Sequence, residues 1–145
     1  ESPGICHYLF ERYAAACGRE DLGVRVDHPE YGRFLNWLYY SDATLTFPQA
    51  IYLRYTQLEP PERRSEQVAA DYRAFFNGRM KLVEEALRDG AEYLCAGRFT
   101  AADIAVGFGL YLATTLRIDD KFSPAARAYM DRLAARPAFQ RAIAK

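Results

Sequence analysis

The chain has 145 residues, half of them apolar and 14% aromatic, which is ample for one domain with a real core and short for two. Lysine plus arginine equals aspartate plus glutamate at 19 each, so the net charge is zero. This composition excludes a disordered tail and argues against a nucleic-acid binder that works by neutralising phosphates. No apolar run reaches the roughly 20 residues that cross a bilayer, and Cys6, Cys17 and Cys95 are too few and too far apart for a disulfide framework. They fit a reducing, cytoplasmic setting.

The first predicted element opens at Ser2-Pro3, with Ser2 as cap and Pro3 at the first helical position, and carries Ile5, Leu9 and Tyr13 at helical spacing up to Gly18. Arg19 to His28 is polar, contains Gly23 and reads as a connector. A long helix is expected from Asp27 or His28, with Phe34, Leu38, Leu45, Ile51 and Leu53 on it. Pro48 should kink it and Pro60-Pro61 should stop it. Glu62 starts the next helix, with a stripe of Val68, Tyr72, Phe75, Phe76, Leu82, Val83 and Leu87 and an end cap at Gly90. The short connection makes these two long helices an antiparallel pair. Arg63-Arg64, beside Glu59, Glu62 and Glu66, reads as a solvated helix start.

Residues 91–99 form a loop, and Phe99-Thr100-Ala101-Ala102-Asp103-Ile104 then spells a carboxylate capping box with a hydrophobic staple. Thr100 and Asp103 are therefore structural cap residues. The run Ile104 to Leu116 is apolar nearly all round and should be a central, fully buried helix in which Gly107 and Gly109 permit close approach. Ser123-Pro124 and Pro137 begin two closing helices. No segment alternates with period two, so the fold class is all-α, a helical bundle with a long antiparallel helix pair and a buried central helix.

Two distant patterns bring in a known family. Glu1-Ser2-Pro3-Gly4-Ile5, followed by Tyr8-Leu9 and Tyr13, resembles the Glu-Ser-x-Ala-Ile element of cytosolic glutathione transferases. Leu94 to Ile104 is similar to the run leading into that family's buried core helix, Trp37-Leu38 to a pair in its long helix, and Arg136-Pro137-Ala138-Phe139 to its final-helix signature. Gly4 stands where the family usually has Ala.

The resemblance implies a parent with a thioredoxin-like domain whose last helix is residues 1–17, followed by an all-helical carboxy-terminal domain over 18–145. The start at Glu1 without Met suggests a fragment. Glu1 and Ser2 would hold the γ-glutamyl end of glutathione, the co-substrate. A helix N-terminus suits its carboxylate, and the Glu1 carboxylate suits its ammonium group. Tyr39, Tyr40, Phe47 and Tyr111 are the aromatic candidates for the acceptor-substrate pocket.

No catalytic residue is expected within residues 1–145. The family's thiol-activating Ser, Tyr or Cys lies upstream, Cys6 sits inside a helix, and Cys17 lies at that helix's negative end. His7 and His28 have no zinc-like spacing with the cysteines, so no metal is expected. The implied activity is conjugation of the glutathione thiol to a small electrophile by a cytoplasmic homodimer without nucleic-acid or membrane partners. The alternative is a non-catalytic helical domain of the same type used for protein assembly.

Overall fold

The computed structural model describes residues 1–144. Helix α1 spans Ser2–Tyr13, α2 Tyr31–Tyr40, α3 Phe47–Leu53, α4 Glu66–Ala86, α5 Ala101–Thr115, α6 Pro124–Ala134 and α7 Pro137–Ile143. There is no strand among the described residues. The all-α bundle expected from the periodicity is the fold observed, but several boundaries and faces differ from expectation.

The cap of α1 is Glu1 rather than Ser2, and no side chain bonds to the first amides of this helix. Ser2 is thus the first helical residue with an exposed side chain. The second element starts at Tyr31, later than expected, because His28 and Pro29 form a turn. In it the Glu30 amide donates to His28 Nδ1 at 3.1 Å and the Tyr31 amide to the His28 carbonyl at 2.9 Å.

The long element is continuous but widens twice into π-helical turns, at Ser41–Thr46 between α2 and α3 and at Arg54–Leu58 after α3. The first lies just ahead of Pro48, which brings no amide hydrogen to the ladder. Side chains bond to carbonyls around it: Ser41 donates to Leu38, Thr46 to Asp42 at 3.1 Å, and Gln49 Nε2 to Leu45 at 3.0 Å. After Leu58 the chain turns extended at Glu59 and Pro60.

Arg64 is not merely solvated. It donates to the Glu59 and Gln57 carbonyls, while the buried Glu59 carboxylate pairs with Arg54 at 2.7 Å and Arg63 at 3.2 Å. Helix α4 begins at Glu66, capped by Ser65 rather than starting at Glu62, and the Ser65 hydroxyl accepts from Val68 N–H. Its buried stripe is Ala69, Phe76, Met80 and Val83, whereas Phe75 and Leu82 face outward.

Helix α5 packs against α1, α2, the first π-turn and α6, and so forms the axis of the bundle. Two glycines allow this closeness. A Cβ on Gly107 would stand 2.6 Å from Leu133 Cδ1, and one on Gly109 would stand 3.3 Å from Leu45 Cβ. The carbonyl of Gly109 accepts from Gln49 Nε2 at 2.9 Å, a buried cross-link between α3 and α5.

The expectation of a fully buried α5 needs correction. Ile104 and Phe108 are 44% and 53% exposed, and with Tyr111 they form one apolar face that opens to a cleft against α7.

Candidate functional site: the groove at the start of α1

The capped start of α5 anchors the site's scaffold. The capping box is present, with the Asp103 carboxylate accepting from Thr100 N–H at 2.8 Å. Three further donors converge on the same carboxylate: the Thr100 hydroxyl at 3.2 Å, Leu94 N–H at 3.1 Å and the buried Tyr129 hydroxyl at 2.8 Å. Asp103 has no exposed surface. Desolvation lifts its carboxyl above the ordinary value against the pull of these hydrogen bonds, and burial beside Asp103 pushes the Tyr129 phenol well above its own. With every lone pair committed inside the bundle, Asp103 is placed as a structural residue joining the loop, α5 and α6.

The N-terminus of α1 opens onto a groove of about 580 Å³ whose walls include Glu1, Pro3, Gly4, Tyr39, Phe47 and Leu112. Tyr39 and Phe47 are both about half exposed there, and Asp42 and Thr46 of the first π-turn complete the wall. The Tyr39 hydroxyl is held 3.0 Å from Nδ1 of His7, whose ring stacks on Phe10 at 5.1 Å. A helix N-terminus without a side-chain cap, the carboxylates of Glu1 and Asp42 and two aromatic side chains therefore share one concavity. That arrangement can receive a carboxylate on the backbone amides, an ammonium on Glu1 and an apolar group against the rings.

The structure brings together only part of the expected aromatic set. Tyr40 turns the other way: its hydroxyl donates to the Arg79 carbonyl on α4 at 2.8 Å, and burial raises its phenol above the ordinary value. Buried Trp37 packs edge-on against it at 5.3 Å. Tyr111 lies in a separate cleft of about 610 Å³ with Phe108, Leu133 and Phe139, its ring edge-on to Phe139 at 5.5 Å. The sequence offers His7 only as a histidine without zinc-like spacing, so its contact with Tyr39 was not foreseen. No spacing signal links residues 7 and 39.

All three cysteines are free, and burial raises the thiols of Cys6 and Cys95, which disfavours thiolate at both. Among the described residues no cluster of three or more His, Cys, Asp or Glu could hold a metal ion. Nor is any helix among them long and apolar enough to cross a membrane.

A long antiparallel pair around a capped central helix, preceded by a short helix, is a fold shared with the helical part of glutathione transferases. The chain has that fold, as comparison with solved structures shows. It superposes on Ure2p5 from Phanerochaete chrysosporium, cocrystallized with 1-(S-glutathionyl)-2,4-dinitrobenzene, with a TM-score of 0.84 at 20% identity over 99% of this chain and 66% of that one. The glutathione transferase homolog from Lodderomyces elongisporus, which holds two GSH per subunit, gives 0.81 at 20% identity over 97% and 64%. BphK, a bacterial GST solved as a ternary complex, gives 0.81 at 23% identity over 99% and 66%. The chain thus spans a little under two thirds of the length of these proteins. No family model and no curated protein matches it.

Proposed function

We propose that this chain is the helical part of a glutathione S-transferase, supplying the glutamyl-binding helix end and the acceptor-side wall for conjugation of the glutathione thiol to a small electrophile. The observation that carries this reading is the uncapped start of α1. No side chain caps the first turn there, Glu1 lines a groove walled by Tyr39 and Phe47, and Ser2 follows it with its side chain exposed, in a fold whose solved examples include complexes with glutathione and a glutathionyl conjugate.

Glutathione is co-substrate in this reading, and no metal takes part. Glu1 pairs with its ammonium group, while the α1 amides and the Ser2 hydroxyl receive its α-carboxylate. The electrophile lies against Tyr39 and Phe47. Tyr111 lies outside this pocket, in its own cleft, and Tyr40 is a packing residue.

Helix α1 is proposed as the last helix of a thioredoxin-like domain, with residues 18–145 forming the helical domain. Its apolar outer face supports this, since Ile5, Tyr8, Leu9 and Tyr13 are between 46% and 59% exposed and would be covered by such a domain. The thiol-activating residue belongs to that domain and is not among residues 1–145. The parent is read as a cytoplasmic homodimer, for which the outward-facing Phe75 and Leu82 of α4 are candidate contacts.

Calorimetric titration of glutathione into the natural protein carrying this chain tests the reading. Saturable binding that weakens on replacement of Glu1 and Ser2 supports it. A folded protein that does not bind glutathione refutes it and turns attention to the assembly-domain alternative.

A further inference from the structure

The connector between α1 and α2 has little packing of its own, since only Gly23 and Val24 are buried among residues 19–28. It is held instead from the loop that precedes α5. One nitrogen of the Arg98 guanidinium, Nη1, donates to the Asp21 carbonyl, and the other, Nη2, donates to the Gly23 carbonyl at 2.8 Å. Beside it the Ala96 amide donates to the Glu30 carboxylate, which also pairs with Arg33 at 3.2 Å. The Asp21 carboxylate is engaged by Arg19 at 2.9 Å, so the Arg98 head spans two backbone carbonyls rather than closing an ion pair. Such a two-pronged contact needs the planar fork of arginine, which lysine cannot reproduce.

Gly23 transmits this hold to α1. Its Cα lies so close under Phe10 that a Cβ would stand 2.8 Å from the ring. Phe10 is fixed in turn by Phe34, edge-on at 5.6 Å, and by the His7 ring that contacts the Tyr39 hydroxyl. A continuous physical path therefore runs from the α5 cap loop through one guanidinium to the helix bearing Glu1 and to the groove tyrosine.

We infer that Arg98 is a positioning residue for the glutamyl-end site: by strapping the connector to the cap loop, it fixes where the start of α1 sits over the Tyr39–Phe47 groove. This rests on the glutathione reading above, but it acts through a contact that can be tested separately.

The experiment compares amide hydrogen exchange of the natural protein carrying this chain with that of its Arg98→Ala and Arg98→Lys variants, followed by calorimetric titration with glutathione. In Arg98→Ala, exchange should rise about tenfold or more across α1 and the connector, as expected for losing hydrogen bonds from a charged donor, while α5 keeps its wild-type rates. Lysine should restore only part of the protection, and glutathione affinity should fall about five- to tenfold. Gly23→Ala, which displaces Phe10 without touching Arg98, should give the same regional profile.

Unchanged exchange in the connector would overturn the inference. So would loosening that spreads through α5, which would make Arg98 a general structural residue, or unaltered glutathione affinity in a variant whose α1 is loosened. If the wild-type natural protein fails to bind glutathione, the proposed function falls, and the exchange profile alone decides whether the strap exists.

Discussion

Asp103 is the buried carboxylate that joins the cap loop, α5 and α6. A simple cap is worth about 0.5–2 kcal/mol. Here the carboxylate also satisfies Leu94 N–H and the Tyr129 hydroxyl, both buried. Asp103→Ala should therefore cost more, about 3–5 kcal/mol in chemical denaturation, because it orphans several buried donors at once. A loss under about 1 kcal/mol would mean that water or a neighbour takes over those bonds.

The sign of its pH dependence follows from the raised carboxyl. The folded chain keeps this proton at a pH where the unfolded chain has released it. The contribution is fully present below the ordinary aspartate value of about 4, and it is lost as pH rises through the folded value. In urea melts, the margin of the wild type over Asp103→Asn should thus be wider near pH 3.5 than near pH 7. A margin that widened with pH would show instead that hydrogen bonding outweighs desolvation at this carboxylate.

At the scale of elements, glycines separate close packing from mere tolerance. Gly78 lies inside α4, and a Cβ added there would meet nothing within 4 Å, so Gly78→Ala should stabilise by about 0.5–1 kcal/mol through helix propensity. Gly107→Ala gains the same propensity but drives its methyl into buried Leu133 on α6. Overpacking of about 1–3 kcal/mol should leave it less stable than wild type. Thermal melts of the two variants should therefore shift in opposite directions, and a stabilised Gly107→Ala would mean that Leu133 repacks freely.

The helices themselves were legible because apolar spacing, Ser-Pro starts and the Thr100–Asp103 box are local signals, and tertiary packing agrees with them. The phase along the long element was not legible. At about 100° per residue, a straight helix would align Tyr40 with Phe47, seven positions on. The π-turn at 41–46 accommodates extra chain, and Tyr39 becomes the partner of Phe47 in the groove while Tyr40 turns to α4. Similarly, an all-round apolar α5 cannot reveal from sequence that Ile104, Phe108 and Tyr111 face a cleft, because exposure depends on what packs there. Glu1 and Ser2 were readable as a pair through family resemblance. Their lack of an intramolecular cap is a geometric fact that only the fold supplies.

For the molecule as a whole, the groove at the start of α1 brings Glu1 together with Tyr39 and Phe47, and the proposed function assigns these residues to two different ligands, so it can be tested in two halves. In that proposal Glu1 and the α1 amides face glutathione, whereas the half-exposed Phe47 faces the electrophile. In the natural protein, Glu1→Gln with Ser2→Ala removes one charge-assisted contact and one hydroxyl. At about 1.5–3 kcal/mol for the charged contact, glutathione affinity should fall about 10- to 100-fold. Phe47→Ala should leave that affinity within about twofold, since the ring is not expected to touch the glutamyl end, yet raise KM for an aromatic electrophile about 10-fold through lost apolar contact. Steady-state kinetics with each substrate varied in turn, alongside calorimetry, would read both effects. Opposite losses at the two ends would establish one groove serving two ligands. If both variants weakened both ligands equally, the groove would be a single undivided site, and the acceptor wall would have to be sought in the Tyr111–Phe139 cleft on the other face of α5.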